Sequence, residues 1–64
     1  MHKYRYGDKV YVKDNPDIRG TVVAVFFADG VQFHEYVYEI QDPRGVFLSG
    51  FTQSELAFAD DEPA

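Results

Sequence analysis

The chain has 64 residues, a net charge of −5 and no cysteine. A chain of this length forms one domain with a small core, and without cysteine it has neither a disulfide framework nor a thiolate metal site. No apolar run approaches the roughly 18 residues of a membrane span, and residues 1–8 lack the apolar stretch of a signal peptide. We therefore expect a cytoplasmic protein with no membrane segment, stabilised by self-association.

The charge is unevenly distributed along the chain. Residues 1–20 contain five Lys and Arg against three Asp, whereas residues 21–64 contain one Arg against eight acids. The acidic total disfavours nonspecific nucleic-acid binding, which depends on neutralising phosphates with Lys and Arg. Three of the acids fall in residues 60–64. We predict a disordered acidic tail there, following a single domain that spans residues 1–59.

Two strands are predicted in the first half of the chain. The run Lys9–Lys13 alternates, with Val10 and Val12 on one face, as is typical of a half-buried strand. The polar stretch at residues 14–17 has the composition of a turn. The β-branched and aromatic run at residues 21–28 predicts the second strand.

Turn signals divide the second half. Asp29-Gly30 predicts a two-residue hairpin, followed by a third strand that ends near Gln41. The four residues 42–45, Asp-Pro-Arg-Gly, predict a type I turn. The remaining predicted elements are a fourth strand at 46–51, one helical or 3-10 turn at 52–55 with capping-box spacing, and a closing strand at 56–59.

The order of these elements resembles the SH3-like barrel superfamily. The stretch Tyr6–Val25, "YGDKVYVKDNPDIRGTVVAV", is similar to KOW and Tudor-like modules, in which Gly-Asp sets the entry turn and the later glycine lets the second strand bend. The resemblance covers about residues 4–59. We therefore predict an all-β fold, a small five-stranded SH3-like barrel with one short 3-10 turn before the last strand. Such barrels host many functions, so the fold alone does not define one.

The same pattern is similar to the plasmid-borne type II dihydrofolate reductases, SH3-like barrels that assemble as tetramers around a central pore. The stretches "YGDKVYVK" and "YVYEIQDPRG", the latter followed by a strand and "EL", have counterparts there. That family carries its chemistry on a Val-Gln-Ile-Tyr strand assisted by a lysine. Here Phe47 and Ser49 replace the glutamine and the tyrosine, and Lys13 stands near the position of the lysine. We expect the oligomeric architecture to carry over, and we expect no reductase activity, no catalytic residue and no cofactor.

The two histidines do not indicate a metal site. His34 precedes Glu35 but no third ligand stands at metal spacing, and His2 is isolated. No serine lies in a Gly-x-Ser-x-Gly elbow, and no Gly-rich loop precedes a helix. We therefore predict neither a metal ion nor a nucleophilic serine.

The second predicted strand is apolar on both faces, although one face of a free barrel strand normally meets water. Two explanations remain open. A bulge near Ala24 reverses the faces of the strand, or another chain covers its outer face. The fourth strand is also apolar on both faces, with Phe47 and Phe51 on one face and Val46 and Leu48 on the other.

These observations favour a small non-catalytic binding module that self-associates and engages a protein partner through its outer β face. The residues predicted for that surface are Tyr11, Val23, Val25, Phe27 and Phe47. One alternative is a KOW-like nucleic-acid or ribonucleoprotein adaptor that uses Lys3, Arg5, Lys9 and Lys13. The other is a diverged relative of the type II reductases. By resemblance, a short barrel of this kind is expected in a phage or mobile-element genome.

Overall fold

A computed structural model of the chain describes residues 3–30 and 33–59. Its strands are β1 (Lys9–Val12), β2 (Asn15–Gly30), β3 (Phe33–Gln41), β4 (Phe47–Thr52) and β5 (Leu56–Phe58), and a 3-10 turn at Gln53–Glu55 precedes β5. The strands form one antiparallel sheet in the order β4-β3-β2-β1-β5. The prediction of an all-β fold with a short 3-10 turn before the last strand is confirmed. The sheet is not closed between β4 and β5, so the barrel remains a prediction.

The core lies at the end of the sheet where all five strands meet. Its buried members are Tyr4, Val10, Val12, Val22, Tyr38, Ile40 and Leu56. The Tyr4 ring stands edge-on to the rings of Tyr38 (5.3 Å) and Phe58 (4.7 Å), and its hydroxyl donates to the Leu56 carbonyl at 2.7 Å. The segment that precedes β1 is therefore part of the core, and it closes one end of the sheet.

The two strand connections of β2 differ from the predictions. The β1–β2 turn falls at Lys13 and Asp14, and β2 begins at Asn15 instead of residue 21, because Val12 pairs with Asn15 directly after the turn. β2 and β3 form the predicted antiparallel hairpin, but its turn is not at Asp29-Gly30, since both residues continue the ladder and pair with residues 34 and 33 of β3. The connection from β2 to β3 lies at residues 31 and 32, which are outside the described residues.

A β-bulge lies where β2 crosses the core. Val22 pairs with Ile40 and Ala24 pairs with Glu39, so Val23 is an extra residue in β2. An extra residue reverses which face the following side chains occupy. Of the two explanations left open for a strand that is apolar on both faces, the structure shows the bulge near Ala24.

Two glycines permit the bending of the sheet. A Cβ on Gly20 would lie 2.3 Å from the backbone oxygen of Gln41, so only glycine lets β2 pass this close to the end of β3. Gly50 has φ +89° and lies where β4 carries an extra residue between its pairs with Tyr38 and Ile40. Both positions lie at the core end of the sheet.

Beyond the core the sheet narrows to two strands, Phe26–Gly30 of β2 and Phe33–Val37 of β3, which we call the distal hairpin. The ladder of β1 with β2 reaches Thr21, and the ladder of β4 with β3 begins at Val37, so the distal hairpin meets β4 only at its first pair, Phe26 with Val37. Its extension agrees with the elongated shape of the molecule, whose principal extents are 37 × 23 × 19 Å.

The described residues contain no helix long and apolar enough to cross a membrane. The predicted domain at residues 1–59 spans all of these strands, and the predicted tail at 60–64 lies outside the described residues. The cytoplasmic location remains a prediction.

Candidate protein-binding surface

Pairing across the ladder assigns each side chain of β2 and β3 to one face of the sheet, because directly opposite residues share a face. The inner-face pairs are Val22 with Ile40, Val25 with Tyr38, and Phe27 with Tyr36. Val22, Ile40 and Tyr38 are fully buried, and Val25 and Tyr36 pack against them. The intervening residues therefore form the outer face.

The outer face carries two exposed phenylalanines. Phe26 pairs with Val37, and Phe47 of β4 pairs with Gln41 at the other end of β3. The Phe26 residue is 57% exposed and the Phe47 residue is 60% exposed. Glu39 lies on the same face of β3 between Val37 and Gln41, since alternate residues share a face. We call the set Phe26, Val37, Glu39, Gln41 and Phe47 the outer patch.

The two phenylalanines lie diagonally across β3, because Phe26 belongs to β2 and Phe47 to β4, two strand spacings or about 10 Å apart across the sheet. Val37 and Gln41, which pair with the two phenylalanines, are four residues apart, or about 13 Å along the strand at roughly 3.3 Å per residue. The carboxylate of Glu39 lies between them, and no hydrogen bond or ion pair of Glu39 is found among the described residues. The patch thus places one negative charge between two apolar anchors.

Two more carboxylates border the outer patch near the 3-10 turn. Glu35 Oε1 accepts hydrogen bonds from the backbone N–H (3.1 Å) and the hydroxyl (2.9 Å) of Ser54. Thr52 donates its backbone N–H (2.9 Å) and its hydroxyl (2.8 Å) to Glu55 Oε1. These bonds hold the pKa of the Glu55 carboxyl below its ordinary value. The border is therefore acidic, and its carboxylates are held in place by hydrogen bonds.

The structure does not bring together the five residues predicted for the partner surface. Tyr11 is only 7% exposed, and Val25 packs against the core. Phe27 lies on the inner face, where its ring stands edge-on to that of Tyr36 at 5.1 Å and the residue remains 53% exposed. Val23 occupies the bulge and is half-buried. Of the five, Phe47 alone belongs to the outer patch.

For the residues of β2, this difference follows from the extra residue at position 23. Before the bulge the even-numbered Val22 faces inward, and after it the odd-numbered Val25 and Phe27 do. The expectation that Val25 and Phe27 lie outside with Phe47 is therefore wrong. Phe26 is the exposed outer residue that the sequence reasoning missed. The signal that identifies it is the parity of β2 once the bulge is placed before Ala24.

The four cations of the nucleic-acid alternative are spread around β1. Lys3 Nζ lies over the Tyr4 and Phe58 rings, 5.5 and 5.8 Å from their centroids. Lys9 Nζ donates to Thr21 Oγ1 at 2.7 Å. Lys13 is exposed in the β1–β2 turn, and Arg5 lies in the turn before β1, where its backbone N–H donates to the Asp8 carboxylate. Lys9 and Lys13 lie at the two ends of β1, about 13 Å apart along the chain.

The residues that correspond to the reductase site also lie apart within one chain. Phe47 and Ser49 belong to β4, whereas Lys13 follows β1, and β2 and β3 separate those two strands in the sheet. Within residues 3–30 and 33–59, no three His, Cys, Asp or Glu side chains come together as a metal site. His34 instead pairs with Asp29 across the distal hairpin, with 2.7 Å between Nδ1 and Oδ1.

A groove of about 480 Å³ lies at the core end, lined in part by Lys9, Thr21, Gln41 and Asp42. Asp42 is 8% exposed, and its carboxylate accepts the backbone N–H of Val46 and of Arg44, both at 2.9 Å. The bond from Val46 is the main reason why the pKa of the Asp42 carboxyl lies below its ordinary value, and Arg44 contributes further. Asp42 therefore serves to hold the β3–β4 turn.

Comparison of the chain with family models, with curated proteins and with solved structures gave no match. The surface is accordingly interpreted from its own residues.

Proposed function

We propose that this protein is a small non-catalytic binding module that engages a protein partner through the outer patch. The observation that carries the proposal is the pair of exposed phenylalanines, Phe26 and Phe47, on one face of the sheet with Glu39 between them. Exposed aromatic side chains that form part of a patch mark interaction sites more often than scattered apolar residues do.

The chemistry of the outer patch defines the partner. Two apolar anchors separated by a carboxylate fit a segment that presents a Lys or Arg between two apolar side chains. In an extended segment, residues i, i+2 and i+4 lie on one side and span about 13 Å, so a segment lying obliquely across β3 places its central residue at Glu39 and its outer residues near the two phenylalanine side chains. The acidic border at Glu35 and Glu55 and the net charge of −5 favour association with a basic segment.

The arrangement of charges argues against the nucleic-acid alternative. A phosphate backbone placed on the outer patch would meet Glu39 and the acidic border. The cations Lys3, Arg5, Lys9 and Lys13 surround β1, and Lys3 and Lys9 are already engaged with rings and with Thr21. The strand order and the 3-10 turn before β5 support the SH3-like barrel as the scaffold of this module.

Titration with two short peptides, followed by NMR of the protein backbone, tests the proposal. The first peptide presents apolar, Lys and apolar residues on one side of an extended chain, and the second replaces the Lys with Glu. We expect the Lys peptide to bind more tightly and to shift the amide resonances of Phe26, Val37 and Phe47. Glu39→Lys should abolish that preference, whereas Asp17→Lys, the same charge change at an exposed site outside the patch, should retain it.

Two results would contradict the proposal. One is equal binding of the two peptides by the unmodified protein. The other is a set of shifted resonances centred on β1 and its cations. Sub-micromolar binding of RNA or DNA at physiological salt would favour the adaptor alternative, and NADPH-dependent turnover that is lost on substitution of Lys13 would favour the reductase alternative.

A further inference from the structure

The groove at the core end contains two cationic side chains, those of Lys9 and Arg19. Lys9 of β1 pairs with Thr21 of β2, and Arg19 lies two residues before Thr21, so the two cations are diagonal neighbours on one face of the sheet. Diagonal neighbours lie about 7–8 Å apart, which is within reach of long side chains. Lys9 and Arg19 can therefore contact the same anionic group.

Hydrogen bonds within the chain hold both cations in place. Lys9 Nζ donates to Thr21 Oγ1 at 2.7 Å, and Arg19 donates its Nε–H and an Nη2–H to the Pro16 carbonyl at 3.1 and 3.0 Å. An ammonium group has three N–H donors, so the bond to Thr21 leaves Lys9 able to donate to a ligand. Within residues 3–30 and 33–59, no carboxylate pairs with Lys9. Side chains that are already oriented lose less entropy when a ligand binds.

Asp42 also lines the groove, but its carboxylate is bonded within the β3–β4 turn. Arg44 Nη2 lies 3.0 Å from Asp42 Oδ2, and the backbone N–H groups of Arg44 and Val46 both donate to Oδ1. The ion pair with Arg44 neutralises the charge of Asp42, whose side chain is almost completely buried. Asp42 therefore does not cancel the attraction of the groove for an anion.

The size and the remaining lining of the groove suit a small molecule. Its volume of about 480 Å³ falls within the range of small-molecule sites, roughly 300–1,000 Å³, which are mostly apolar with a few polar groups that orient the ligand. Val10, Pro43 and Ala59 contribute apolar lining. The Thr21 hydroxyl accepts from Lys9 and can donate its own proton to an anion.

We propose that this groove binds a small anionic ligand in which a carboxylate or phosphate group is attached to a compact apolar body. The anionic group lies between the Lys9 ammonium and the Arg19 guanidinium and accepts from the Thr21 hydroxyl, while the apolar body rests against Pro43 and Ala59. One pair of cations suits a single anionic group and not a chain of phosphates, in agreement with the argument against nucleic acid. The inference does not depend on which partner the outer patch binds.

Titration with phenyl phosphate, followed by calorimetry and by NMR of the protein backbone, tests the proposal. We expect phenyl phosphate to shift the amide resonances of Lys9, Gly20 and Thr21. It should bind about tenfold more tightly than inorganic phosphate, which lacks the apolar body. Benzylamine, which carries the opposite charge, should not bind. Benzoate distinguishes the two head groups, and tighter binding of either benzoate or phenyl phosphate at the groove supports the proposal.

Matched lysine variants locate the binding. Lys9→Gln should weaken the binding of phenyl phosphate by about tenfold, because it removes one cation of the pair. Lys13→Gln makes the same charge change at an exposed lysine beyond the other end of β1, and should leave the binding unchanged. Lys9→Arg should retain it. The dispersion of the NMR spectra checks that all three variants are folded.

The proposal would be overturned if neither phenyl phosphate nor benzoate shifted the groove resonances, if benzylamine or inorganic phosphate bound as tightly as phenyl phosphate, or if the two glutamine variants lost binding equally. Asp60 and Asp61 follow Ala59 directly in the sequence. Binding that appeared only after both were changed to Asn would assign the groove to the chain's own acidic residues, and would also overturn the proposal. Failure of the peptide binding is seen separately, since Glu39→Lys should lose the peptide preference and keep the binding of phenyl phosphate.

Discussion

The core end of the sheet and the distal hairpin differ in how completely one chain covers its own strands. At the core end five strands meet, and Val22, Tyr38, Ile40 and Leu56 are entirely buried. In the distal hairpin β2 and β3 have no third strand beyond Val37 among the described residues, and Phe26 and Phe27 remain more than half exposed on opposite faces. A two-stranded hairpin is marginal in water without further packing. The comparison teaches that buried side chains stabilise the core end, whereas the distal hairpin leaves aromatic side chains exposed on both of its faces.

The largest expected difference between the two regions is in the free energy of unfolding. Leu56→Ala removes a fully buried side chain and should cost about 2–5 kcal/mol, comparable to the whole stability of so small a domain. Phe26→Ala should change the stability of the single chain by only about 0.5 kcal/mol, because the residue is already exposed. Urea denaturation of both variants, measured at a concentration where the protein is monomeric, checks the contrast. A Phe26→Ala variant as unstable as Leu56→Ala would contradict it.

The backbone at the core end should also be intolerant of small changes. Gly20→Ala would bring a Cβ within 2.3 Å of the Gln41 oxygen, so β2 and β3 must move apart at a cost of roughly 1–3 kcal/mol. The matched variant Gly50→Ala meets open space but must adopt a positive φ, at a cost of about 1–2 kcal/mol. Thermal unfolding of the two variants compares the cost of a steric clash, in Gly20→Ala, with the cost of an unfavourable backbone conformation, in Gly50→Ala. A Gly20→Ala variant with wild-type stability would show that the strands can relax.

Acid should weaken the core end first. The pKa values of Asp42 and Glu55 both lie below their ordinary values of 3.8 and 4.5, because backbone N–H groups bind the ionised carboxylates. A lowered pKa in the folded state gives stability that is present above the ordinary value and is lost as the pH falls through the folded value. The melting temperature should therefore fall below about pH 4. In the Asp42→Asn variant the melting temperature should fall less in acid than in the wild-type protein. An unchanged dependence of melting temperature on pH would contradict the role of Asp42 in holding the β3–β4 turn.

A small effect is also expected for a charge at Phe27. Since this residue is 53% exposed and contacts the Tyr36 ring, Phe27→Glu should cost about 1 kcal/mol in the single chain and leave the fold intact. Circular dichroism with urea denaturation measures this. Complete unfolding would show that Phe27 is part of the core, and would remove the distinction between the two regions.

Several features of the fold were predictable because they have local causes. The apolar run at 21–28 indicated either a bulge or a covered outer face, and a bulge lies at Val23. Capping-box spacing predicted the turn that Thr52 and Glu55 form through their hydrogen bond. These signals depend on neighbouring residues, so the sequence alone contains them.

Other features depend on long-range packing and were not predictable. The burial of Tyr4 requires Tyr38, Leu56 and Phe58, which are distant in sequence. Which of Phe26 and Phe27 lies on the outer face depends on the position of one extra residue in β2, and an error of one residue exchanges the two faces. The Asp29-Gly30 turn signal failed because the ladder with β3 continues through both residues.

Hydrogen exchange of the β2 amides tests most directly whether stability is concentrated at the core end. Val22 is fully buried and donates its amide to Asp8 O at 2.8 Å, whereas Phe26 and Ala28 lie in the distal hairpin. We predict that the Val22 amide exchanges much more slowly than those of Phe26 and Ala28. Equal protection of the three amides would contradict the account.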